Sequence, residues 1–248
     1  MILSRRVLLV GGGAALLVPP RAWAQSALER EHQVRIDLPI IAEDATAVPV
    51  QVSVDHPMEP GHYIRSIDIT VPQDPVPHKG TFAFTPLSGR AWVAFPMRSG
   101  AGGVLRAVAE CSRHGKFTAT REYRVAEGGC STPPHPSERD RIGNPQLRLA
   151  RAAKVGEVVE VRARVDHASD TGLSERGGRF VRERPEFYLK QVLVYLDDQK
   201  VADFHITAAV SPNPILRFAV RPTRSGTLRV VWINSEGRRW EASQPVRV

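Results

Sequence analysis

VLRAVAECSRHGKFTATREYRV, residues 104–125, reads as two strands folded back on each other. Leu105, Ala107, Ala109 and Cys111 fall on alternate positions, the period of a strand with one buried face, and the turn falls at His114-Gly115. The pattern returns at the end of the chain. MRSGAGGVLRAVAECSRHGKFTATREYRV (97–125) matches RPTRSGTLRVVWINSEGRRWEASQPVRV (221–248): a Ser-Gly turn, a strand, a glycine hairpin and a last strand closing on Arg-Val. A second pair, QVSVDHPMEPG (51–61) and VRARVDHASDTG (161–172), each ends a strand on Val-Asp-His before a loop. Two copies of one β unit predict two tandem β-sandwiches and are too few for a solenoid.

The intervening sequence agrees. YIRSIDITV (63–71), TFAFTP (81–86) and AWVAFPM (91–97) read as strands in the first half, and LKQVLVYLDD (189–198), VADFHIT (201–207) and ILRFAVRP (215–222) in the second. Apart from a short turn near residues 26–31, sustained helical periodicity is absent. The expected fold is all-β, with boundaries at 25–126 and 144–248 and a Gly/Pro-containing linker at 127–143.

The first 24 residues carry a different message. Arg5 and Arg6 precede an apolar run, Val7 to Val18, and Ala22-Trp23-Ala24 forms a small-residue cleavage site. This is the layout of a signal peptide, and Ser4-Arg5-Arg6-Val7-Leu8-Leu9 is similar to a twin-arginine export signal. The expected location is the periplasm, with no membrane insertion after processing. Removing residues 1–24 takes three arginines and no acids, lowering the formal charge from +8 to +5. A moderately basic surface attracts anions in general. No basic stripe interleaved with aromatics suggests nucleic acid.

Only two cysteines are present. Alternation places Cys111 on the apolar face of its strand, a buried small hydrophobe. Cys130 follows Gly128 and Gly129 and precedes Ser131-Thr132-Pro133-Pro134, beyond the last strand of the first copy; the second copy stops at the equivalent strand. The glycines free the backbone and the prolines keep the adjoining stretch extended, so the thiol stands on an arm away from the core. A Cys111–Cys130 disulfide would require the arm to fold back along a whole strand, against a Cα separation limit of about 7 Å.

No CxxC or HxxxH spacing predicts a metal site. His56 and His167, at matching strand ends, read as a repeated structural element of the loop, and at each of these positions, His114 and His135 included, a solvated or turn-capping histidine is expected. No nucleophile motif or carboxylate cluster appears, so neither catalytic residues nor a cofactor is expected. An arm without fixed geometry is poorly placed to catalyse. Three readings remain: a carrier loaded on Cys130, a structural or interaction module with Cys130 in a passive linker, and a thiol oxidoreductase.

IDLPIIAEDATAVPVQVSVDHPM, TFAFTP and YRVAEGGC in the first half, and ARAAKVGEVVEVRARVDH, DTGL and FHITAAVSPNPILRFAVRPTRSGTL in the second, resemble the SoxY and SoxZ proteins of bacterial sulfur oxidation, fused in one chain. The resemblance implies a non-enzymatic carrier built of two immunoglobulin-like sandwiches. It implies that Cys130 receives thiosulfate or another small sulfur anion covalently, that Gly128 and Gly129 let the arm enter narrow sites, and that haem-containing and sulfur-processing enzymes are the partners. SoxY usually ends in Gly-Gly-Cys-Gly-Gly. Here the arm continues into a second domain, as in the SoxYZ-like carriers associated with quinoprotein dehydrogenases.

Overall fold

The computed structural model describes residues 27–100, 102–126 and 141–248. The leader at 1–24 and Gly128, Gly129 and Cys130 lie outside the described residues. The first half contributes β1 (Val34–Asp37), β2 (Ile41–Ala42), β3 (Val48–Val54), β4 (Ile64–Thr70), β5 (His78–Phe84), β6 (Ala91–Met97), β7 (Gly103–Cys111) and β8 (Gly115–Val125). The second contributes β9 (Gly143–Leu149), β10 (Val159–Asp166), β11 (Leu173–Arg176), β12 (Arg179–Arg182), β13 (Leu189–Leu196), β14 (Gln199–Ile206), β15 (Ile215–Val220), β16 (Gly226–Asn234) and β17 (Arg239–Val246). Alternation is obeyed where one face is buried: Leu105, Ala107, Ala109 and Cys111 of β7 point inward, as do Val159, Val161, Ala163 and Val165 of β10.

The two copies do not merely sit in series. One sheet runs β1-β3-β6-β15-β10-β9 and the other β17-β16-β13-β14-β5-β4-β7-β8-β2, so both sheets of the immunoglobulin-like sandwich pass without a break from one half into the other. The strands that meet are counterparts. β5 pairs antiparallel with β14, placing Phe82 opposite Phe204, and β6 pairs antiparallel with β15 through Val93 and Phe218. Pairing equivalent strands relates the halves by an approximate twofold axis and removes two edges per sheet that would otherwise expose unpaired backbone groups.

Side chains follow the same symmetry across the junction. Phe82 packs on Phe95 at 4.9 Å between ring centres, its counterpart Phe204 packs on Phe218 at 5.5 Å, and Phe82 and Phe204 meet at 5.4 Å. A single apolar core encloses all four. The Ala209-Val210-Ser211 run also bridges the halves: Val210 pairs with Met97, the Ser211 N–H donates to Pro96 O at 3.1 Å, and its hydroxyl donates to Thr46 O at 2.6 Å. Residues of the FHITAAVSPNPILRFAVRPTRSGTL stretch therefore serve the joint.

Candidate functional site

The end of β8, the strand that precedes Cys130 in sequence, is held at a fixed point. β2 pairs in parallel with the end of β8, Ile41 opposite Arg124 and Ala42 opposite Val125. Backbone N–H groups of Arg124 and Ala126 donate to Ile40 O at 2.9 Å and Ala42 O at 3.1 Å. Beneath this root the Tyr123 hydroxyl lies 2.7 Å from Ser99 Oγ, which donates to Asp74 at 3.1 Å. Asp74 in turn accepts from the buried Lys79 ammonium at 2.6 Å. Lys79 also donates to the carbonyls of Val76 and Arg98, at 3.0 and 3.2 Å. A buried ion pair surrounded by hydrogen bonds holds its geometry, because breaking one partner leaves the other charge uncompensated. The strand end at Ala126 is thus rigidly based.

Cys111 lies at the other end of the same hairpin, opposite Gly115 at the start of β8. Its thiol is free and buried. β8 is an 11-residue strand, so about 30 Å separates the two ends, while four residues of chain reach at most about 14 Å. That distance excludes the intrachain disulfide.

Around Cys111 the fold assembles something the spacing did not announce. His32, His56, His62 and His114 converge with Cys111 so that their ligand atoms all lie within 4.8 Å of one another. His32 follows a helical turn at residues 27–31. His56 and His62 bracket the loop after β3, and Cys111 and His114 form the β7–β8 hairpin tip. Reading round the ring, His56 Nε2 is 3.1 Å from His62 Nε2, His62 Nε2 is 3.3 Å from His114 Nδ1, and His114 Nδ1 is 3.1 Å from His32 Nε2. The Cys111 sulfur stands 3.8 Å from both His56 Nε2 and His114 Nδ1.

Each support is local. His32 Nδ1 bonds Leu28 O at 2.8 Å, and His56 Nδ1 bonds Pro57 O at 2.5 Å. With the proton on Nδ1 of each neutral ring, Nε2 carries a lone pair aimed inward. Phe117 stacks on His32 at 4.2 Å. The loop carrying His62 is closed by paired backbone bonds between Glu59 and His62 and braced by Arg113, whose Nε donates to Gly61 O at 2.8 Å. Arg221, from the second half, reaches the Glu59 carboxylate at 3.2 Å. Burial, together with the neighbouring imidazoles, holds His56 below its ordinary pKa and therefore neutral. Desolvation and His114 act in the same direction on His62.

The expectation of turn-capping histidines holds for one ring nitrogen of His56 and for His167, whose Nδ1 bonds Ala168 O at 2.5 Å. It does not describe the cluster. The ligands come from separate segments of the first half, so short-range spacing hides them. Two signals were present: Cys111-x-x-His114, and the absence of His62, Cys111 and His114 equivalents from the second copy, where Leu173, Asn234 and Gly237 stand in register.

Comparison with known proteins identifies both halves. A profile described as "Sulfur oxidation protein SoxY" fits residues 21–130, and one described as "Sulphur oxidation protein SoxZ" fits residues 147–245. No curated protein matches the chain. Among solved structures, the sulfur carrier protein SoxY from Chlorobium limicola f thiosulfatophilum is similar at 23% identity and TM-score 0.32, over 42% of this chain and 97% of that one. A variant of superoxide reductase (neelaredoxin) from Ignicoccus hospitalis is similar at 32% identity and TM-score 0.38, over 43% of this chain and 91% of that one. A second structure of that reductase gives 13% identity and TM-score 0.33, over 46% and 87%. The chain therefore joins a SoxY-family segment to a SoxZ-family segment, a SoxY–SoxZ fusion of the sulfur-oxidation proteins.

Proposed function

We propose that the protein is a periplasmic sulfur carrier that holds a sulfur intermediate covalently on Cys130 and presents it to partner enzymes. The observation that carries this reading is the SoxY match, which ends on Cys130 itself, a few residues beyond a firmly anchored strand end. A thiol with a fixed root and a glycine-rich approach can travel into a partner's site while the sandwich stays outside it.

Thiosulfate is the leading cargo. Joining its outer sulfur to the Cys130 thiol forms one S–S bond and releases one proton and two electrons, so the loading partner must accept electrons, as a haem protein can. Hydrolysis of the terminal sulfonate by a second partner then frees sulfate and leaves a persulfide. The arm brings no base or oxyanion donor of its own, so the chemistry belongs to those enzymes. Because the arm continues into the second half, it enters a partner as a loop. This suits a system whose enzymes differ from those serving a carrier with a free carboxyl end, such as the quinoprotein dehydrogenase-associated group.

The test is intact-mass measurement after incubation with thiosulfate and an oxidising haem partner. Wild type and Cys111→Ser should gain one thiosulfonate group, and Cys130→Ala should gain none while unfolding at the same urea concentration as wild type. Equal loading of Cys130→Ala would sink the proposal.

A further inference from the structure

We propose that His32, His56, His62, His114 and Cys111 bind one divalent first-row transition-metal ion, with the four imidazoles as a square of nitrogens and the Cys111 thiolate at its apex. The distances carry the claim. Metal–imidazole bonds of about 2.1 Å at right angles put adjacent nitrogens about 3.0 Å apart, and the three consecutive edges measure 3.1, 3.3 and 3.1 Å. The sulfur is equidistant, at 3.8 Å, from two opposite corners, where an apical ligand belongs.

Hydrogen bonding among the rings accounts for only two of the three edges: His62 and His114 can each donate one N–H, to His56 and to His32, which leaves those two donors facing each other at 3.3 Å. His32 and His56 each spend Nδ1 on a backbone carbonyl, so both direct acceptor nitrogens at the same point. Four ring nitrogens and a thiol converging on one point suit a cation, and holding ligating imidazoles by their outer nitrogen is the usual way to orient them. The backbone N–H of Arg113 donates to the Cys111 sulfur at 3.5 Å and fixes its position at the hairpin tip.

The second half supplies an internal control. His167 occupies the place of His56 and makes the same bond to the next carbonyl, yet its Nε2 meets the Asn234 amide at 3.2 Å, and Asn234 stands in register with Cys111. There the histidine is closed off by a hydrogen-bond donor. The same backbone thus folds without the ligands, so the sandwich itself does not require four histidines and a thiol at this spot.

The donor set defines the metal. A structural zinc ion takes four ligands in a tetrahedron, whereas five donors with the nitrogens in a square suit a five-coordinate ion with a sixth position open. Cys111 is buried while His62 is half-buried and His114 exposed, so the cluster meets solvent along its His62–His114 edge. A cavity of about 430 Å³ bordered by Glu29, His32, His114 and Lys116 gives access. Binding displaces the thiol proton to solvent.

The test uses the full chain stripped of metal and titrated with Co(II). Wild type and Cys130→Ala should each bind one Co(II) per chain with a near-ultraviolet thiolate-to-cobalt band, and azide should shift the visible bands. Cys111→Ser should lose the near-ultraviolet band. His114→Ala, which alters an exposed side chain, should weaken binding by about tenfold or more. Less than one Co(II) per wild-type chain, or full affinity in His114→Ala with the sulfur band kept in Cys111→Ser, would overturn the site. A spectrum unmoved by azide would overturn its open position. Cys130→Ala separates the two proposals, since it abolishes sulfur loading and leaves metal binding intact.

Discussion

His56 and His167 show how one residue type at one place in a repeated fold acquires two destinies. His167 is buried against Phe187, stacked at 4.6 Å, and Trp240, and desolvation lowers its pKa from 6.5 to about 4. A folded pKa below the unfolded one gives a stability contribution that is complete above about pH 6.5 and is lost as pH falls toward 4. The loss is on the order of 3 kcal/mol. His78 works in the opposite sense. Its hydrogen bond to Asp68 raises its pKa, so its contribution is present in acid and fades as pH rises through the raised value. Urea unfolding of wild type between pH 7 and pH 4.5 should show falling stability, and the fall should be smaller in His167→Gln. An equal fall in both would remove His167 as its source.

Among the elements, the short 3-10 turn at Pro86–Ser88 ties the halves together out of proportion to its length. Thr85 N–H and the Ser88 hydroxyl both donate to Val201 O, at 3.1 and 2.8 Å, and Leu87 O accepts from Arg221 N at 2.7 Å. The turn ends on Gly89 at φ +66°, where an added Cβ would lie 2.6 Å from the Arg221 Cβ and 2.9 Å from Val158. Gly89→Ala should therefore lower stability by about 2–3 kcal/mol through backbone strain and overpacking, readable as a lower urea midpoint. The strands themselves were legible from period-2 alternation, including the inward face of Cys111 and the hairpin tip at His114. Alternation says nothing about which strand lies beside which. It therefore gave tandem sandwiches without the β5–β14 and β6–β15 seams, and histidines without the cluster that the β3 loop and the β7–β8 tip build between them. The short hairpin β11–β12, exposed and rich in arginine, had no apolar period to betray it.

For the molecule as a whole, two continuous sheets over one core imply that the halves stand or fall together. Phe204, fully buried among Phe82, Phe84 and Phe218, is the test. Phe204→Ala should cost about 3–5 kcal/mol, and amide exchange in β4 and in β13 should accelerate by the same factor. A variant in which β13 opens while β4 stays protected would show two independent units. No helix among the described residues is long and apolar enough to cross a membrane.

The seam between counterpart strands has one more consequence. Two separate polypeptides meeting along it would dissociate when diluted, because their association depends on how often they collide. Within a single chain the same contact is intramolecular and independent of protein concentration. A scarce copy in a dilute compartment would keep its whole sandwich, and every copy would carry equal numbers of the two modules.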